Sequence, residues 1–92
     1  MIYNDRLTAH LKCAEFALGS LRVVQLEKFA ERYYHGDWRE MTLADLQVHL
    51  ISEVSELARA LRKPWETEEC IRECADVANY AAIIADVLRR RE

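Results

Sequence analysis

The sequence predicts an all-α fold, a small bundle of three to four helices. Helix breakers are scarce, apolar residues recur at steps of three and four, and no stretch sustains period-2 alternation. Gly occurs twice and Pro once in 92 residues, at Gly19, Gly36 and Pro64, and these three positions punctuate the chain. Residues 1–92 fit a single domain, with no length left for a second core. A domain of this size buries only about 60 to 65% of its unfolded surface, yet 51% of the residues are hydrophobic. Part of that apolar surface is therefore expected to meet a second copy, completing the bundle as a homodimer or homotetramer.

The first helical stretch spans about Asn4 to Leu18, with Asn4 or Asp5 as N-cap. The next spans about Leu21 to Tyr34, with Val24, Leu26, Phe29, Ala30 and Tyr33 as its apolar stripe. Gly19 between them costs about 1 kcal/mol inside a helix, so the sequence leaves open whether they are one helix or two. A turn is expected at His35-Gly36-Asp37-Trp38. Thr42 fits the N-cap of the third stretch, with Asp45 in its first turn. Leu43, Leu46, Leu50, Val54, Leu57 and Leu61 then follow as the stripe of an amphipathic helix of about twenty residues, stopped before Pro64. Thr67 is the expected cap of the last stretch, which continues to about Arg90. It is apolar nearly all round: Ile71, Cys74, Ala75, Ala78, Ala82 and Ala85 form one face, and Tyr80, Ile83 and Val87 another. A helix without a polar face belongs in the middle of an assembly.

The formal net charge of −3 argues against a nucleic-acid polymer as partner. Basic residues cluster at Arg59-Arg62-Lys63 and Arg89-Arg90-Arg91; the second cluster ends a helix, where the macrodipole favours cations. Cys13, Cys70 and Cys74 show neither CxxC nor zinc-ligand spacing and read as small, reduced packing residues. No signal peptide begins the chain, and no apolar run approaches the roughly 20 residues of a membrane span. The expected compartment is the cytoplasm, with no membrane as partner.

Four carboxylates stand out. The third stretch reads His49-Leu-Ile-Ser-Glu53-Val-Ser-Glu56-Leu and the fourth Glu73-Cys-Ala-Asp76-Val-Ala-Asn79. Each acidic pair is spaced i, i+3, which sets its members about 5 to 6 Å apart on one helix face. With Leu50 at the centre of the apolar stripe, Glu53 lies about 60° from it and Glu56 about 120°, at about 100° per residue. Glu53 thus borders the buried face. Glu73 and Asp76 share a side with Tyr80 and Ile83. Like charges at this spacing repel by about 3 kcal/mol per pair at an effective dielectric near 20. Ordinary surface acids would be the plain reading of one such pair. Two pairs on consecutive helices, both beside apolar faces, point instead to a shared hard cation, Mg²⁺ or alternatively Mn²⁺.

ExxE, residues 57–72 between, then ExxD resembles the motif of the MazG-like, all-α nucleoside triphosphate pyrophosphohydrolases. Glu53-Val-Ser-Glu56-Leu57, Glu73-Cys-Ala-Asp76-Val77-Ala78-Asn79 and the Gly36-Asp37-Trp38-Arg39 turn are similar in wording to that family. The resemblance covers about residues 21–88; the stretch at about 4–18 lies outside it. One departure is Ser52, where the family often carries a further glutamate, and it bears on metal affinity and ion number. The resemblance implies Mg²⁺-dependent cleavage of a (deoxy)nucleoside triphosphate to monophosphate and pyrophosphate. Glu53, Glu56, Glu73 and Asp76 would be the metal ligands, with Glu53 the candidate base through a water.

Phosphate neutralisation also calls for cations. Lys63 and Arg59 follow the ExxE, and Lys28 or Arg32 precede it; each also reads as an ordinary surface charge. Trp38 and Tyr80 are candidates for stacking on the nucleobase, although both equally suit packing. Asn79, an amide on an apolar helix, needs a partner and is a candidate for binding sugar or phosphate. His49, one turn before Glu53, reads as a packing histidine. The rival function is a non-enzymatic helical module that dimerises through its alanine-rich last helix. A ferritin-like di-metal oxidase wants Glu-x-x-His pairs, which neither acidic pair supplies.

Overall fold

The computed structural model describes residues 4–32 and 38–91. They form helices α1 (Asp5–Glu31), α2 (Leu43–Ala60) and α3 (Thr67–Arg90), with a 3-10 turn at Trp38–Glu40 ahead of α2. The all-α expectation holds for these residues. The end of the second predicted stretch at Tyr33-Tyr34 and the His35-Gly36-Asp37 turn fall outside the described residues.

The first two predicted stretches are one helix, running straight through Gly19. Breaking there would leave two further sets of unpaired backbone groups and require a second nucleation. Those costs exceed the ~1 kcal/mol of a helical glycine. Asn4 caps α1, its side-chain oxygen accepting from the Leu7 amide at 2.8 Å. Thr42 caps α2 as expected, accepting from the Asp45 amide at 3.1 Å. Thr67 does not cap α3. Glu66 holds that position, its carbonyl accepting from the Cys70 amide, while Thr67 is the first helical residue and turns its hydroxyl back to the Pro64 carbonyl. The Glu66 amide bonds the Lys63 carbonyl at 2.9 Å, a turn that brings the chain into helix one residue early.

Helix α3 is central, and both α1 and α2 pack against it. Gln25 meets Asn79 and Glu31 meets Arg72, so α1 runs antiparallel to α3. Leu46 meets Ile83 and Tyr80 at one end of the α2–α3 hairpin. At the other, Cys70 Sγ donates to the Ala60 carbonyl at 3.4 Å. The core is small: Leu46, Tyr80 and Ile83, with Phe29, Met41, Leu50, Ile84 and Val87 partly buried around them. No residue of α1 is fully buried.

Two features leave the molecule open. Its radius of gyration is 15.8 Å, against about 12 Å for a compact domain of this length. On α2, Val48, Ile51 and Val54 form a second apolar stripe that stays exposed among the described residues, at 67%, 59% and 47%. Helix α3 is likewise not enclosed all round, since Ile71, Ala82 and Leu88 are exposed. No helix among the described residues is long and apolar enough to cross a membrane.

Candidate metal centre

The hairpin sets the acidic pairs of α2 and α3 against each other. Glu53, Glu73 and Asp76 each direct a carboxylate oxygen to a common point, and these oxygens lie within 4.8 Å of one another. Glu53 and Asp76 are buried and Glu73 is half-buried. Glu56 is exposed and outside this trio, as its larger angle from the apolar stripe implies. Its charge still acts on both Glu53 and Glu73.

The protonation of the cluster follows from its crowding. Burial pushes the Glu53 carboxyl above the usual range; Asp76 and Glu56 add to this by repulsion, and Arg32 opposes it. Burial, a hydrogen bond with Glu69 and the charges of Glu56 and Asp76 raise Glu73 to about 7. One oxygen of Glu53 and one of Glu73, the Oε2 atoms, are buried with no hydrogen-bond donor among the described residues. Such orphaned acceptors are costly unless a proton or cation meets them.

Two cations approach from the C-terminal end of α1. Lys28 Nζ lies 3.1 Å from Asp76 Oδ2. Arg32 Nη2 lies 3.5 Å from Asp76 Oδ1 and 3.7 Å from Glu53 Oε1. Arg32 Nη1 donates to the Tyr80 hydroxyl at 2.7 Å. Beside them, Arg72 holds both oxygens of Glu31, at 2.7 and 2.9 Å, and fixes the end of α1 to α3. Among the described residues, Lys28 and Arg32 pair directly with two of the four carboxylates of the ExxE and ExxD pairs, and Arg72, itself held by Glu31, acts on Asp76 from further off. Negative charge is in excess, and an all-oxygen donor set suits a hard divalent ion. The residues fit Mg²⁺.

The remaining expected site residues are placed in three different ways. Lys28 is at the cluster, on Asp76. Tyr80 and Asn79 adjoin it but are engaged within the protein. The Tyr80 ring stacks on His49 with centroids 5.4 Å apart, and His49 is therefore a packing residue. Asn79 exchanges two hydrogen bonds with Gln25, accepting from its side chain at 3.0 Å and donating to its carbonyl at 3.1 Å. Trp38 packs on Phe29 and points its indole N–H at Asp86, ten residues and about 15 Å along α3 from Asp76. Lys63 is exposed in the α2–α3 turn, where its carbonyl accepts from Cys70.

Sequence reasoning gave Arg32 no fixed role and passed over Glu69 and Gln25. Glu69 was legible, being one turn before Glu73 on the same helix face. Gln25 had a signal only in the unmet needs of Asn79. No family model, no curated protein and no solved structure matches this chain.

Proposed function

We propose that the chain is a Mg²⁺-dependent nucleotide pyrophosphohydrolase, acting on a (deoxy)nucleoside triphosphate to give the monophosphate and pyrophosphate. The observation that carries this reading is the convergence of Glu53, Glu73 and Asp76, with two buried oxygens that meet no donor among the described residues. The resemblance of the ExxE and ExxD motifs to the MazG-like enzymes supports the same reaction. Glu53, Glu73 and Asp76 would hold the ion, and Glu56 sits beside them to complete or extend the set. When bound, Mg²⁺ neutralises phosphate charge and orients an attacking water. Glu53 is the base of choice in this reading, because it belongs to the cluster and its raised proton affinity suits accepting a proton. Lys28 and Arg32, which pair with Asp76, would be the cations nearest the phosphates of a nucleotide bound through that ion. The reduced thiols and the need for Mg²⁺ suit a cytoplasmic setting.

The functional unit in this proposal is a homodimer or homotetramer. Its support is the small core of one chain and the uncovered stripe of Val48, Ile51 and Val54. The alternative, a non-enzymatic helical module, draws on the ion pairs of Asp76, which show that Lys28 and Arg32 already neutralise part of the cluster.

Incubation of the protein with Mg²⁺ and each common nucleotide, followed by chromatography, tests the reaction. At least one dNTP is expected to yield dNMP and pyrophosphate. Release of orthophosphate and a diphosphate would overturn the reaction type, and no conversion of any of them would favour the helical module.

A further inference from the structure

We infer that Lys28 and Arg32 are the resident counter-ions of the carboxylate cluster, and that a divalent cation enters by exchanging with them. The inference rests on the metal reading above and assigns these two residues a part in it.

Asp76 is compensated on both sides. Lys28 Nζ meets its Oδ2 at 3.1 Å, with the two side chains only 15% and 7% exposed, and Arg32 meets its Oδ1 at 3.5 Å. Arg32 also lies 3.7 Å from Glu53 Oε1, but the Oε2 atoms of Glu53 and Glu73 are buried with no donor among the described residues. The cluster is therefore only partly neutralised: its cations serve Asp76 and one oxygen of Glu53 and leave those two oxygens unmet. A dication seated among Glu53, Glu73 and Asp76 would draw on the same Asp76 oxygens and would face an ammonium and a guanidinium across a few ångströms of poorly solvated space. Like charges in that setting repel strongly. A strongly hydrated ammonium on a flexible stem relieves this by moving away.

The structure provides for both departures. Glu31 Oε2 lies 4.0 Å from Lys28 Nζ and is exposed; it already accepts from Arg72 at 2.9 Å, so Lys28 would share this acceptor one helical turn along α1 and reach solvent beside it. Arg32 is 41% exposed and keeps a second hold on the Tyr80 hydroxyl, so its guanidinium pivots about that bond. Lys28 and Arg32 thus set metal affinity by competition, lowering it below what three converging carboxylates would give alone.

Calorimetric titration of chelator-stripped protein with MgCl₂, without nucleotide, tests this. Lys28→Met is expected to bind Mg²⁺ about tenfold more tightly than the unmodified protein, as loss of a neighbouring unit charge implies. Arg32→Gln should tighten binding about threefold, because it is more exposed. Arg90→Gln, which removes a charge paired with Asp86 instead, should leave affinity unchanged. Unchanged or weaker binding by Lys28→Met overturns the exchange while leaving the metal site standing. If Lys28→Met does not fold, Arg32→Gln decides by the same criterion. Absence of Mg²⁺ binding by the unmodified protein overturns both the exchange and the metal reading.

Discussion

At Glu53, burial and the neighbouring carboxylates act in the same direction, against the opposing charge of Arg32. The side chain borders the core and faces Asp76 and Glu56, so its proton is held more tightly than in water. Replacing Glu53 by Gln removes the charge but keeps the shape. Nucleotide hydrolysis is expected to fall at least about 100-fold, and the Mg²⁺-induced rise in melting temperature to shrink or vanish, measured by thermal scans with and without the ion. Retention of both would exclude Glu53 from the centre. Glu73, raised to about 7, makes a separate prediction. The folded state holds its proton more firmly than the unfolded chain does, so in metal-free protein stability falls as pH rises from the ordinary carboxylate range through about 7. If the proposed metal reading holds, Mg²⁺ would compete with that proton, and its affinity is expected to climb over the same window. Melting scans across pH 4.5 to 8 check both trends. The wheel position of Glu53 was legible because it depends only on spacing within one helix. The partners of Asp76 were not: Lys28 and Arg32 lie more than forty residues away in sequence, and spacing carries no information about such pairs.

Helix α1 shows how far local rules reach. Its cap at Asn4 and its helical character were both readable. Its continuity was not, because the penalty at Gly19 is smaller than the cost of a second helix end and no side chain near it decides the matter. A Cβ at Gly19 would meet nothing within 4 Å, so Gly19→Ala is free of steric cost. It should stabilise the helix by about 0.5 to 1 kcal/mol. The N-terminal half of α1 packs on little of the chain, so this gain belongs to local opening rather than global unfolding. Amide exchange between residues 8 and 20 should slow about three- to fivefold, with a small change in melting temperature. Helix α3 illustrates the opposite failure. Thr67 has the right chemistry for a cap, but the turn through Pro64 and Trp65 set the boundary one residue earlier.

For the whole molecule, three helices in an open arrangement bury a small core and leave large apolar side chains exposed. The sequence indicated as much, through a high apolar fraction on a short chain. It did not indicate which face would stay open, since Val54 and Leu61 were assigned to the α2 stripe and are exposed at 47% and 54%. The stripe of Val48, Ile51 and Val54 is the face that a second copy would cover. Sedimentation is expected to show a dimer or tetramer, and Ile51→Glu to shift it toward monomer with a fall in melting temperature. A monomer at all concentrations would remove the assembly from the proposal.

The long α1 also makes the molecule a lever. Its C-terminal third is pinned to α3 by the Glu31–Arg72 fork and the Gln25–Asn79 pair, while the shaft beyond projects freely. A tilt of about 10° at Gln25 carries the residue-5 end about 5 Å, at 1.5 Å rise per residue. Any such tilt set off among the carboxylates, at the fulcrum, would thus be magnified at the tip. Cys13, an exposed thiol on the shaft, offers a native handle for a fluorescent reporter of that displacement.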